Sequence, residues 1–122
     1  MNIETIRKYC LKKPVVTEDF PFDENTLVFR VMGKIFLLAA IDEIPLRINL
    51  KCDPEKAVEL REEYDSVLPG YHMNKTHWNT ILIDGSVSSQ EILTWITDSY
   101  MQVVHGLKKQ EKERIHKLLK NN

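Results

Sequence analysis

Apolar residues recur along this chain with two periods, about 3.6 and 2, and the alternation between them outlines the elements. Ile3, Ile6 and Cys10 follow Asn2 at helical spacing, so residues 2–13 are predicted to form an amphipathic helix capped by Asn2. Pro14 ends it by disfavouring helical backbone at Lys13. The outward side of this helix carries Arg7, Lys8, Lys12 and Lys13. Thr26 to Met32 and Lys34 to Ile41 are rich in β-branched and aromatic residues, and Gly33 supplies the corner of a hairpin between them. After the turn at Asp42–Glu43–Ile44–Pro45, the residues Leu46, Ile48, Leu50 and Cys52 alternate with Arg47, Asn49 and Lys51. This strand is expected to bury its first set and to present the second on a cationic, polar face, because a strand's side chains alternate sides.

Asp53–Pro54–Glu55 has the makings of a helix start: a capping carboxylate, a proline at the first position and an acid near the positive end of the dipole. Ala57, Leu60 and Tyr64 form its buried stripe, and the segment from Ser66 to Gly70 breaks the pattern. A strand from Trp78 to Ile83 closes at Asp84–Gly85. Ser88 and Glu91 then read as a capping box, followed by a long core helix through Ile92, Ile96, Tyr100 and Val104 to Leu107. Gly106 is expected to end that helix in the left-handed conformation. Beyond it, Ile115, Leu118 and Leu119 place a narrow apolar edge on a basic helix. The order predicts an α+β protein, a two-layer sandwich in which helices from the two chain ends cover one antiparallel sheet. It divides into a domain over residues 1–107 and a basic helical tail over 108–122.

Composition narrows the class. The chain has 122 residues, 43% of them hydrophobic and 29% charged, values of a globular domain able to bury its own core. Its longest uncharged apolar run, Ile35 to Ile41, is far short of the roughly 20 residues of a membrane-spanning helix. The charged N-terminus lacks the pattern of a secretory leader, so a cytoplasmic location without membrane partners is expected. Net charge is −1, yet residues 108–120 hold Lys108, Lys109, Lys112, Arg114, Lys117 and Lys120 against only Glu111 and Glu113. Such a balance excludes a uniformly basic nucleic-acid binder and leaves only local patches to act.

Candidate chemistry gathers in one segment. Residues 69–79 crowd His72, Asn74, Lys75, His77 and Asn79 between Tyr71 and Trp78. Such a loop offers hydrogen-bond donors for phosphates or base edges together with stacking faces. The competing reading is that Asn74 and Asn79 serve turns while Tyr71 and Trp78 fill the core. Arg47, Asn49 and Lys51, with Arg30 on the solvent side of its own strand, add a cationic sheet surface, or else a merely solvated outer face. The loop is expected to lie over this face, with Trp78 or Tyr71 as its anchor and His72, Asn74 and Lys75 within reach of Arg47 or Asn49. The acids around Phe20–Pro21–Phe22, namely Glu18, Asp19, Asp23 and Glu24, lack calcium-loop spacing and read as a solvated rim beside an edge strand.

Enzymatic signatures are missing. His72 and His77 lie five apart without a further ligand nearby, and Cys10 and Cys52 lack CxxC spacing. Four glycines form no phosphate loop, and no GxSxG occurs. A non-enzymatic protein without cofactors or metals is therefore expected.

The segments TEDFPFDENTLVFRV (17–31), RINLKCDPE (47–55) and PGYHMNKTHWN (69–79) resemble the MmcQ/YjbR family. This resemblance runs from the first helix to about Leu107, and it implies a fold like that of the bacterial frataxin CyaY. It also implies DNA binding through a double-wing surface, to which Arg30, Arg47, Asn49, Lys51, His72, Asn74, Lys75, His77, Trp78 and Asn79 would contribute. The iron binding of frataxins needs an acidic first helix, whereas this one has four basic residues and only Glu4. The alternative to DNA is a small anionic ligand or a protein partner held by the same polar cluster, with Arg47 and Lys51 balancing an acid.

Overall fold

The computed structural model describes residues 1–121, so the last residue of the basic tail, Asn122, lies outside the described residues. Ten elements follow one another: α1 (Ile3–Leu11), β1 (Val16–Asp19), β2 (Thr26–Val31), β3 (Lys34–Ala40), β4 (Leu46–Lys51), α2 (Pro54–Glu63), β5 (Val67–Pro69), β6 (Trp78–Ile83), α3 (Ser89–His105) and α4 (Lys109–Lys120). The strands form one antiparallel sheet in the order β1-β2-β3-β4-β6-β5. The α+β sandwich expected from the sequence is the observed architecture.

Local chemistry sets the element ends. Asn2 Oδ1 accepts from the Thr5 amide at 2.9 Å, Asp53 Oδ2 from Lys56 at 3.2 Å, and Ser88 Oγ from Glu91 at 3.2 Å, each satisfying an amide that a helix start leaves free. Met32 and Gly33, at φ 50° and 79°, make the two-residue turn whose twist suits the β2–β3 hairpin. Gly106 corrects an expectation. It ends α3 at φ −87° and ψ −2°, in right-handed backbone, its amide held by the carbonyls of Val103 and Val104. The chain turns immediately into α4, so no left-handed residue is needed there.

One face of the sheet is covered by α1 and α3. Phe29, Val31, Leu37, Ile48, Leu50 and Ile81 from the strands meet Ile6, Ile92, Ile96, Tyr100 and Val104 from the helices in a single core. Helix α4 is part of this body, for Ile115 is fully buried in the same core. A bulge in β3 sets Phe36 and Leu37 side by side opposite Phe29, and both are buried. Ser99 of α3, 0% exposed, donates to the Phe36 carbonyl and accepts from the Lys51 amide at 2.8 Å. A single hydroxyl thus serves two backbone groups of neighbouring strands.

Candidate functional site

Among the described residues, no helix lies over the opposite face of the sheet. Strand parity places Thr26, Val28 and Arg30 of β2, Leu38 and Ala40 of β3, Arg47, Asn49 and Lys51 of β4, and Trp78 and Thr80 of β6 on this outer side. The expected parity of β4 holds: Ile48 and Leu50 are buried toward the helices, Leu46 and Cys52 are partly buried on the same side, and Arg47, Asn49 and Lys51 look outward.

Two segments wall in the middle of this face. The β1–β2 connection contributes Phe22, Asp23 and Asn25 on one side, and Tyr71, His72 and Met73 stand on the other. Between them is a pocket of about 520 Å³, within the roughly 300–1,000 Å³ usual for small-molecule sites. Its floor is largely apolar, from Ile35, Leu38 and Ala40, and its polar groups are Arg47, Asn49 and Thr80. Asp42 and Glu43, from the β3–β4 turn, complete the rim.

A hydrogen-bonded chain fixes the loop wall. Thr80 Oγ1 donates to Asn49 Oδ1 and accepts from the Tyr71 amide at 2.9 Å, while Asn49 Nδ2 donates to the Tyr71 carbonyl at 3.4 Å. Gly70 makes the approach possible, since a Cβ there would sit 2.8 Å from the Trp78 carbonyl oxygen. His72 follows at φ +58° with its ring 4.0 Å from that of Tyr71.

Arg47 differs from its neighbours. Its Nε is buried and has no hydrogen-bond partner among the described residues. An unpaired buried donor on a charged group is costly, and native structures seldom keep one without a reason. Arg30, the other arginine of the outer face, is engaged. Arg30 Nε reaches Asp19 at 3.2 Å and its Nη1 reaches the Gly33 carbonyl at 3.2 Å. Lys51 lies beside Trp78 in the ladder and does not line the pocket.

The motif loop divides its residues between two sides. His72 stands with Arg47 and Asn49 on the pocket, as expected, but Asn74 and Lys75 do not line it. Asn74 serves a turn, its Oδ1 accepting from the Thr76 amide at 2.9 Å. Lys75 folds back on its own loop, with Nζ 3.1 Å from the Gly70 carbonyl. His77 is exposed, and its carbonyl accepts from the Cys52 amide at 2.8 Å. Half-buried Trp78 anchors the loop through its backbone, whereas Tyr71 is 60% exposed.

Asn79 moves furthest from its expected place. It points to the helix side and is only 2% exposed. There its Nδ2 donates to the Ala57 carbonyl at 3.2 Å and its Oδ1 accepts from Arg61 Nη1 at 2.9 Å. The physical reason is parity: Ile81 faces the core, so Asn79, two residues earlier, faces it too. Arg61, which also holds the Lys75 carbonyl at 3.1 Å, is a loop-positioning residue that the sequence pattern did not single out.

The cysteines carry no reactive signature. Burial pushes the Cys10 thiol up to about 12 and Cys52 up to about 11, so both remain protonated at neutral pH. Among the described residues, no group of three or more His, Cys, Asp or Glu side chains is placed to hold a metal ion, and no helix is long and apolar enough to cross a membrane.

The profile of the YjbR family matches residues 11–102. The chain belongs to the YjbR family. Full-length relatives agree. Escherichia coli O157:H7 YbdF is 38% identical over 113 residues, covering 92% of each chain, and YjbR of Escherichia coli K12 is 30% identical over 118 residues, covering 97% of this chain and all of its own. In three dimensions the chain is similar to the crystal structure of a Deinococcus radiodurans protein, with a TM-score of 0.88 at 38% identity over 94% of this chain and 88% of that one. The YjbR match takes in both pocket walls and the whole sheet, and it ends before α4.

Proposed function

We propose that this YjbR-family protein is a non-enzymatic binding module whose ligand is a small organic molecule with one anionic group, docked on Arg47. The observation that carries this reading is the buried, unpartnered Nε of Arg47 in an apolar-lined pocket. A guanidinium so placed gains its missing partner from a carboxylate or phosphate oxygen, and such charge-assisted bonds are the stronger kind. Ile35, Leu38 and Met73 offer the ligand's body an apolar surface.

DNA binding, which the family resemblance implies, draws support from α4, none of whose lysines and arginine forms an ion pair among the described residues. Two features weigh against it. Helix α4 packs on α3, which covers the other side of the sheet, so its cations and Arg47 do not share one footprint. Asp23, Asp42 and Glu43 line the pocket mouth and would repel a phosphate backbone.

Calorimetric titration of the full chain with a panel of small carboxylates, with and without an amine, tests the proposal. Saturable binding by members of the panel is expected, weakened about tenfold or more by Arg47→Met, equivalent to about 1.4 kcal/mol or more. Binding should also fall only shallowly with salt, since one contact is screened rather than a row of phosphates. The proposal fails if no carboxylate binds in an Arg47-dependent way while duplex DNA binds tighter than about 10⁻⁴ M with a steep salt slope.

A further inference from the structure

The charges around the pocket say more than that the ligand is anionic. Arg47 is opposed by three acids of the rim, Asp23, Asp42 and Glu43. None of the three pairs with Arg47, or with any lysine or arginine, among the described residues. Asp23 is also held ionised, since its Oδ1 accepts from the amides of Asn25 at 2.9 Å and Thr26 at 2.8 Å. A purely anionic ligand would satisfy the arginine while meeting an excess of negative charge.

Register shows where these charges stand. Ala40 pairs with Thr26 on one side and with Arg47 on the other, so Arg47 lies at the same end of the sheet as Asp23, just before β2, and Asp42 and Glu43, just after β3. Leu38 and Ile35 continue along β3 away from that end, beneath the Tyr71–Met73 wall. Both signs of charge therefore stand at one end of the pocket, and the apolar surface extends from that end along β3.

We infer that the ligand class is an α-amino acid with an apolar side chain, or a molecule presenting the same group. Its carboxylate binds Arg47, its ammonium faces the rim acids, and its side chain lies over Leu38 and Ile35. An α-carbon bears the ammonium and the carboxylate as two of its own substituents, which suits charges that share one end of the pocket. The inference rests on the small-ligand reading above and narrows it.

Two matched series separate the contributions: phenylalanine, 3-phenylpropanoate and 2-phenylethylamine, and leucine, 4-methylpentanoate and 3-methylbutylamine. Each is titrated calorimetrically into the full chain at neutral pH. The amino acid of at least one series is expected to bind about tenfold tighter than its carboxylate and its amine. Arg47→Met should remove its advantage over the amine. Asp23→Asn and Glu43→Gln should reduce its advantage over the carboxylate; asparagine keeps the oxygen that accepts the Asn25 and Thr26 amides, so the turn is preserved. Carboxylates that bind as tightly as the amino acids, and lose affinity in Arg47→Met, would overturn the amino-acid inference and leave the single-anion reading standing. Binding of none of the six, or binding indifferent to Arg47→Met, would also overturn the amino-acid inference, and the wider carboxylate panel and duplex DNA above then decide the single-anion reading.

Discussion

Arg47 is the residue on which function and stability are expected to diverge. Replacing a structural arginine removes bonds and destabilises, whereas here the substitution removes a buried donor that has no partner. Arg47→Met keeps most of the stem's volume and takes away the charge, so the ligand-free variant is expected to be as stable as the parent or up to about 1 kcal/mol more stable. Urea unfolding checks this, and a loss above about 1 kcal/mol would mark Arg47 as part of the scaffold. This position was legible in the sequence, because the alternation from Leu46 to Cys52 put Arg47, Asn49 and Lys51 on one side. That the Arg47 Nε would be buried without a partner among the described residues was not. Arg30 and Lys75 are cations of the same kind, and only the fold brings Asp19 to the first and the Gly70 carbonyl to the second.

Among the elements, the junction of β3, β4 and α3 depends on one hydroxyl. Ser99→Ala leaves the Phe36 carbonyl and the Lys51 amide without their shared partner, a loss of about 1–3 kcal/mol for buried groups left unpaired. Chemical denaturation measures it, and an unchanged midpoint would show that the bulge is satisfied otherwise. Nothing in the sequence foretold that bulge, since Ile35 to Ile41 is a continuous apolar run without alternation. Strand β1 escaped for a different reason: Val16–Asp19 has one apolar residue, and its place comes from pairing with β2. Strand β5 is three residues ending in Pro69, legible only as an edge added to β6. For β6 the signal was present, because counting back from Ile81 in steps of two puts Asn79 inside. The crowded polar composition of residues 69–79 concealed that parity. Thr80, across the ladder from Asn49, could not be found at all, since β4 and β6 become neighbours over an intervening helix and strand.

At the scale of the whole molecule, α1 is tied to the edge of the sheet by Arg7, whose Nε donates to Glu18 at 2.8 Å. The hydrogen bond from Arg7, then its charge, holds the Glu18 carboxyl below the ordinary range. A depressed carboxylate contributes stability above its unfolded value, about 4.3, and loses it as pH falls through the folded value. Glu18→Gln should therefore be less stable than the parent at neutral pH, with the difference closing below about pH 4 and shrinking with added salt. Thermal unfolding across pH tests this, and a gap that persists in acid would assign the effect to packing. The same view sets the two sides of the protein apart, with α4 and its cations on the helix layer and the pocket on the bare face of the sheet. An amide chemical-shift map of the full chain, titrated separately with phenylalanine and with a short DNA duplex, tests that distinction most directly. Phenylalanine is expected to shift Ile35, Leu38, Arg47, Asn49 and residues 71–73, and the duplex to leave the outer face unmoved. Duplex-induced shifts running across Arg47, Asn49 and the 71–73 loop, with none from phenylalanine, would contradict it.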